Sequence, residues 1–144
     1  MGDVEWNKGE FEAKALLIER ADHPGFWQSV TGSLDVEDEP LRTTCRREVE
    51  EETGIVASEE DFADLELTNI YTIYSHWQKR YAPGVVENTE HVYALRVPFS
   101  RYATNIVLSP NEHLNYQWLP IEKAAMTCFS WTNAKALQHL QARL

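Results

Sequence analysis

The stretch Gly32-Ser-Leu-Asp-Val-Glu-Asp-Glu-Pro-Leu-Arg-Thr-Thr-Cys-Arg-Arg-Glu-Val-Glu-Glu-Glu-Thr-Gly-Ile55 decides how this chain folds. Pro40 suits the first turn of a helix, where its missing N–H costs nothing, and the acids ahead of it suit the positive end of the helix dipole. Gly54 is a natural residue just past a helix, free to adopt the left-handed backbone that closes one. The pattern predicts a helix over Glu39–Thr53. Eight of the chain's 23 acidic residues fall between Asp35 and Glu52. The ordinary meaning of such a run is a solvated acidic face, but angular position argues otherwise. At roughly 100° per residue, with Leu41 as origin, Cys45 falls near 40° and Val49 near 80°. Glu48 falls near −20° and Glu52 near 20°, inside that apolar stripe, while Glu50 points to water near 180°.

Two inward carboxylates one turn apart repel. At ~6 Å and an effective dielectric of ~20 the repulsion is about 3 kcal/mol, against 0.2–0.5 kcal/mol for roughly the same pair in water. A divalent cation supplies the missing charge, and Mg²⁺ is satisfied by a few carboxylates, waters and substrate phosphates. Arg47 and Glu51 form a further i, i+4 pair on the helix flank. Spacing alone leaves two readings for it: a surface ion pair worth about 0.3–0.5 kcal/mol, or an arginine that orients the acidic cluster.

Outside this helix the chain reads as one domain of 144 residues. Hydrophobic residues at 43% and aromatics at 11% place it among folded proteins. A net charge of −10 argues against a nucleic-acid polymer as partner, and equally against an anionic membrane surface. The longest aliphatic run, Ala15-Leu16-Leu17-Ile18, is far short of the ~20 residues a spanning helix needs. The opening Met-Gly-Asp-Val-Glu-Trp lacks the pattern of a secretory signal. Cys45 and Cys128 form no C-x-x-C and fit a reducing compartment, so a cytoplasmic protein without disulfides is expected. Strands are predicted over Ala13–Glu19, Leu65–Tyr74, Thr89–Phe99, Asn105–Ser109 and Tyr116–Leu119. Further helices are predicted over Pro120–Met126 and Thr132–Leu144, the last burying Leu137, Leu140 and Leu144 behind a Ser130 or Thr132 cap. Such loose alternation implies an α/β (α+β) fold, a mixed sheet between helical layers. The stretch 75–88 has no periodicity, and loops of that length are commonly functional.

The run Arg47-Glu48-Val49-Glu50-Glu51-Glu52-Thr53-Gly54-Ile55 matches R-E-U-x-E-E-x-G-U, with U a bulky aliphatic residue. This is the second half of the Nudix box, and Glu39 stands eight residues before Arg47 as that box requires. The chain thus resembles the Nudix hydrolase superfamily. The box places five residues between its glycine and first glutamate, whereas six separate Gly32 from Glu39 here, an insertion a loop absorbs cheaply. Phe26-Trp-Gln-Ser-Val-Thr-Gly-Ser33, Ser75-His76, Arg80-Tyr-Ala-Pro-Gly-Val85, Asn111-Glu-His-Leu114 and Ser130-Trp-Thr-Asn133 are similar to one branch of the family. That branch removes pyrophosphate from a pterin triphosphate in folate synthesis, leaving the monophosphate.

The resemblance implies a single Nudix-type domain and a small-molecule triphosphate substrate. It implies Mg²⁺, with Mn²⁺ as a substitute, held by Glu48, Glu52 and Glu112. The catalytic set it implies is Glu51, Glu52, Glu112 and Arg47, with the general base open among Glu51, Glu52 and Glu112. Substrate contacts carry over to Arg20, Thr31 and Ser130, with the strand region of Tyr71 and Tyr74 alongside. Arg80 and Lys79 are candidate phosphate clamps, and Trp27 and Trp77 candidate stacking partners for a flat ring. His113 reads as a hydrogen-bonded structural histidine, and His76 takes interest from its place in the matched loop. Relatives have an apolar strand ahead of the one ending at Arg20. Residues 1–12 are weak strand material, so a shortened or replaced edge strand is expected there. A monomer or weak homodimer is expected. Two rival functions stand beside this one: a Nudix enzyme that clears damaged nucleoside triphosphates, and a Nudix-fold module that binds a nucleotide without cleaving it. An EF-hand Ca²⁺ binder is excluded by the lack of D-x-[DN]-x-[DN]-G.

Overall fold

Helix α1 runs Leu41–Thr53, two residues shorter at its start than expected. Glu39 precedes a proline, whose ring disfavours helical backbone in the residue before it. Pro40 therefore sits at the N-cap rather than in the first turn, with φ −58° and ψ 138°, and its carbonyl accepts the Thr44 N–H at 3.1 Å. Gly54 closes the helix as expected, at φ 77° and ψ 3°, donating its N–H to the Glu50 carbonyl at 2.9 Å. The structure is a computed structural model that describes residues 2–7, 12–30, 39–72 and 87–143, with backbone only at 2–7, 12, 69–72 and 87–90.

Six strands make one mixed sheet: β1 (Gly2–Asn7), β2 (Glu12–Arg20), β3 (Trp27–Gln28), β4 (Phe62–Thr72), β5 (Glu87–Val97) and β6 (His113–Pro120). Strand β2 is the hub. It pairs antiparallel with β1 through Glu12–Ala15, with β3 through Ile18 and Glu19, and with β6 from Lys14 to Arg20. The N-terminal segment is not an edge. β1 lies between β2 and β5, parallel to β5 with Gly2 opposite Ala94 and Glu5 opposite Val97. Its formation owes more to two neighbours offering ladder bonds than to its own residues, since Gly, Asp and Asn are poor strand formers. Asn105–Ser109 forms no strand: the Val107 N–H goes to the Thr53 carbonyl at 2.8 Å, closing the last turn of α1 instead of a ladder. The expected strand to Phe99 ends at Val97, because Pro98 leads into the short helix α2 (Phe99–Tyr102).

The aliphatic run in β2 is buried on both faces, and each face belongs to a different helical layer. Leu16 and Ile18 pack with Cys45 and Val49 of α1 and with Val30, Ile55, Phe62 and Leu95. Ala15 and Leu17 face the other way, into helices α3 (Ile121–Thr127) and α4 (Trp131–Arg143), where Ala124, Leu137 and Leu140 cover them. The mixed sheet between helices is therefore as expected. Ser130 is the residue that caps α4: its hydroxyl accepts the Thr132 N–H at 3.3 Å. Leu144 lies outside the described residues. Cys45 and Cys128 are free thiols. No helix among the described residues is long and apolar enough to cross a membrane.

Candidate active site

Three elements converge at the C-terminal half of α1. A turn before β6 is stitched to its surroundings by the backbone: the Glu112 and His113 N–H groups both donate to the Ser109 carbonyl, and the Glu112 carbonyl accepts the Ala21 N–H at 2.9 Å. This fixes Glu112 and His113 against the end of β2 and beside α1. One carboxylate oxygen each from Glu52 and Glu112 and one ring nitrogen of His113 lie within 4.8 Å of one another.

The helix geometry read from the sequence holds. Glu52 is 5% exposed, Glu48 is mostly buried, and Glu50 faces water. Burial, then the charges of Glu48, Glu112 and Glu51, push the Glu52 carboxyl up to about 9, with Arg20 opposing. Burial also raises Glu48, against the hydrogen bond and charge of Arg47. His113 is held down to about 4 by burial and by the charge of Arg20. The Glu52 Oε2 atom is buried with no hydrogen-bond partner among the described residues. A buried carboxylate beside two others, with an open oxygen, is a site that lacks positive charge.

Arg47 does more than pair with a neighbour one turn on. Its Nη1 donates to Glu48 Oε1 at 2.7 Å and its Nη2 to Glu39 Oε1 at 3.1 Å, while Glu51 Oε2, the pair expected from spacing, is the longest contact at 3.5 Å. Glu39 is itself fixed by the Thr44 hydroxyl at 2.7 Å. One guanidinium, 18% exposed, thus bridges three carboxylates and holds Glu48 in place.

Arg20 ends β2 on the same side, close enough to act on both Glu52 and His113. Asp22 accepts from one edge of its guanidinium, Nε and Nη2 each donating at 2.8 Å, and Nη1 donates to Gln28 Oε1 at 3.2 Å. Trp27 lies elsewhere: it packs on the α3/α4 side of the sheet, opposite α1, and its carbonyl accepts the Phe129 N–H. Ser130 is occupied as the α4 cap. Tyr71 is in β4, opposite Asn88 of β5, with its backbone described. Thr31, Tyr74, His76, Trp77, Lys79 and Arg80 lie outside the described residues, as do residues 75–86 of the 75–88 stretch. The sequence reading missed Asp22 and Gln28 as the grip on Arg20, and did not bring His113 to Glu52. The i, i+2 spacing of Arg20 and Asp22 was the one available signal.

Carboxylates presented from one helix face and an adjoining turn, an arginine that organises them, and a sheet between helices define a class. The NUDIX domain model matches residues 7–140, and the chain belongs to the Nudix family. Among its relatives is the dihydroneopterin triphosphate diphosphatase of Escherichia coli K12, 42% identical over 127 residues that span 87% of this chain and 81% of that one. The protein of the same name from Haemophilus influenzae is 31% identical over 87% of this chain and 77% of its own. The solved structure of the E. coli dihydroneopterin triphosphate pyrophosphohydrolase superposes with a TM-score of 0.82 at 36% identity, covering 99% of this chain and 93% of that one.

Proposed function

We propose that this protein hydrolyses dihydroneopterin triphosphate to dihydroneopterin monophosphate and pyrophosphate, with Mg²⁺ as its ion and Mn²⁺ as a substitute. The observation that carries the substrate is the 42% identity to the E. coli diphosphatase across most of both chains. The observation that carries the ion is the buried Glu52 with its unpartnered oxygen. Glu48, Glu52 and Glu112 offer hard oxygen donors, which suit Mg²⁺ and Mn²⁺. Bound there, the ion supplies neutralisation of phosphate oxygens and acidification of water.

The chain's own residues divide the remaining work. Arg47 holds Glu48 toward the cluster and keeps Glu39 and Glu51 beside it. Arg20, pre-set by Asp22 and Gln28, presents a fixed positive charge where a phosphate chain arrives. Glu112 is the exposed carboxylate of the cluster and, unlike Glu48 and Glu51, has no arginine partner among the described residues. It is the group that takes the proton from the attacking water. Thr31, Tyr71, Tyr74 and Arg80 remain substrate contacts in this reading. Trp27 and Ser130 face away or are engaged, so they act through packing and capping.

A substrate panel with and without Mg²⁺ tests this, reading pyrophosphate against orthophosphate. The expected outcome is Mg²⁺-dependent pyrophosphate release, with kcat/KM for dihydroneopterin triphosphate above that for dATP or oxidised dGTP. A preference for the purine nucleotides overturns the substrate, and no release from any triphosphate overturns the enzyme.

A further inference from the structure

The first residue of β6 and the buried glutamate of α1 have complementary defects. His113 is 4% exposed, its Nε2 stands 3.9 Å from Glu52 Oε1, and its Nδ1 has no hydrogen-bond partner among the described residues. Glu52 turns Oε1 to the ring, while Oε2 is buried and unpartnered. The main chain of His113 is fixed by its N–H to the Ser109 carbonyl at 2.9 Å and by its pairing with Arg20.

Which nitrogen carries the proton follows from what each choice would orphan. A neutral imidazole has one N–H, and a buried N–H without an acceptor is rarer than an under-satisfied acceptor. With Glu52 ionised beside a cation, a proton on Nδ1 would strand that N–H and turn the Nε2 lone pair on a carboxylate. A proton on Nε2 leaves only a lone pair at Nδ1 unused and aims a donor at Glu52. A charged ring also carries its proton on Nε2, so the direction of donation is the same in either state. The 3.9 Å gap is longer than a formed hydrogen bond. It has room to close when Glu52 carries its charge beside a cation.

We propose that His113 is a positioning residue, whose Nε2–H donates to Glu52 Oε1 and leaves Oε2 directed at the cation. This rests on the reading of Glu52 as a cation ligand. Hydrogen-bond partners of ligating carboxylates change metal affinity by roughly 10–100-fold when removed. His113→Phe keeps a ring and loses the donor. His113→Gln keeps an amide N–H near the place of Nε2, and His113→Asn puts one near Nδ1.

The test is titration of the metal-free protein with Mn²⁺ alone, followed by electron paramagnetic resonance, with circular dichroism as the folding control. Affinity should fall about 10–100-fold in His113→Phe and stay near wild type in His113→Gln. The KM for the triphosphate at saturating Mn²⁺ should hold. Nitrogen-15 shifts of the wild-type ring in the Mg²⁺-loaded protein should place the proton on Nε2. Wild-type affinity in a folded His113→Phe overturns the proposal, as does a proton on Nδ1 alone. A directly bonded ring nitrogen in the Mn²⁺ spectrum overturns it too, by making His113 a ligand. Should His113→Phe not fold, His113→Gln must still bind more tightly than His113→Asn, and equal affinities sink the idea. A wild type that binds no Mn²⁺ overturns the reading of Glu52, and the proposal falls with it.

Discussion

Glu52 is held where a carboxylate is least at ease: 5% exposed, with Glu48, Glu112 and Glu51 all raising its affinity for a proton. Replacing it with glutamine keeps the shape and removes the charge. We expect Glu52→Gln to lose Mn²⁺ binding and to cut pyrophosphate release by orders of magnitude, while circular dichroism stays unchanged; wild-type turnover would remove Glu52 from the site. Arg47 is the other residue whose chemistry is not exchangeable. Lysine offers a point charge where three carboxylates need a planar fork, so Arg47→Lys should lower kcat as well as metal affinity. Arg47→Met should also destabilise the fold by about 1.5–3 kcal/mol, read by urea unfolding, the scale of lost hydrogen bonds to charged groups. Angular spacing revealed the inward turn of Glu48 and Glu52, because a regular helix converts sequence position into direction. Beyond Glu51, it did not reveal the partners of Arg47. Glu48 is the adjacent residue and Glu39 lies outside the helix, and neither is a pair that the i, i+4 rule considers.

At the scale of elements, the junction that matters joins the end of α1 to the segment leading to Glu112. Gly54 adopts φ 77°, and a Cβ there would stand 3.1 Å from Val107 Cβ, on the segment whose N–H caps Thr53. Gly54→Ala thus meets both a left-handed backbone and a close neighbour. We expect a loss of about 1–2 kcal/mol from the backbone alone, read as a lower urea midpoint. Activity should fall further than stability explains, because the displaced segment carries Glu112. An unchanged midpoint would show that the turn relaxes freely. The glycine and its helix end were legible from sequence, as was β2, expected as a strand over Ala13–Glu19. β1 was not, because its residues are poor strand formers and pairing with β2 and β5 supplies what they lack. Asn105–Ser109 alternates like a strand, with Ile106 buried and Val107 exposed, yet its ladder partner is a helix carbonyl. Periodicity reports which side chains are covered, not what the backbone bonds to. The approach of His113 to Glu52 was not legible for a similar reason, since it depends on the register of β6 on β2.

For the whole molecule, a net charge of −10 would have to admit the proposed triphosphate, itself strongly anionic. The acidic cluster makes this harder until a cation arrives, and the same cluster ties stability to pH. The Glu52 carboxyl sits at about 9 in the fold against an ordinary 4.5, so the folded protein keeps a proton that the unfolded chain releases. Between those values stability falls as pH rises. His113 works oppositely: at about 4 against 6.5, it makes stability fall as pH drops through that lower window. The two trends oppose one another up to about pH 6.5, and from there to about 9 only that of Glu52 remains. The metal-free protein should therefore lose melting temperature steadily from pH 6.5 toward 9, and Glu52→Gln should flatten that slope. In the proposed reading Mg²⁺ would replace the retained proton, so its stabilising effect should grow over the same range and its binding should release protons to the buffer. Calorimetry of Mg²⁺ binding in buffers of different ionisation enthalpy measures that release directly. A pH-independent Mg²⁺ effect on melting, with no proton released, would mean that the cation binds away from Glu52.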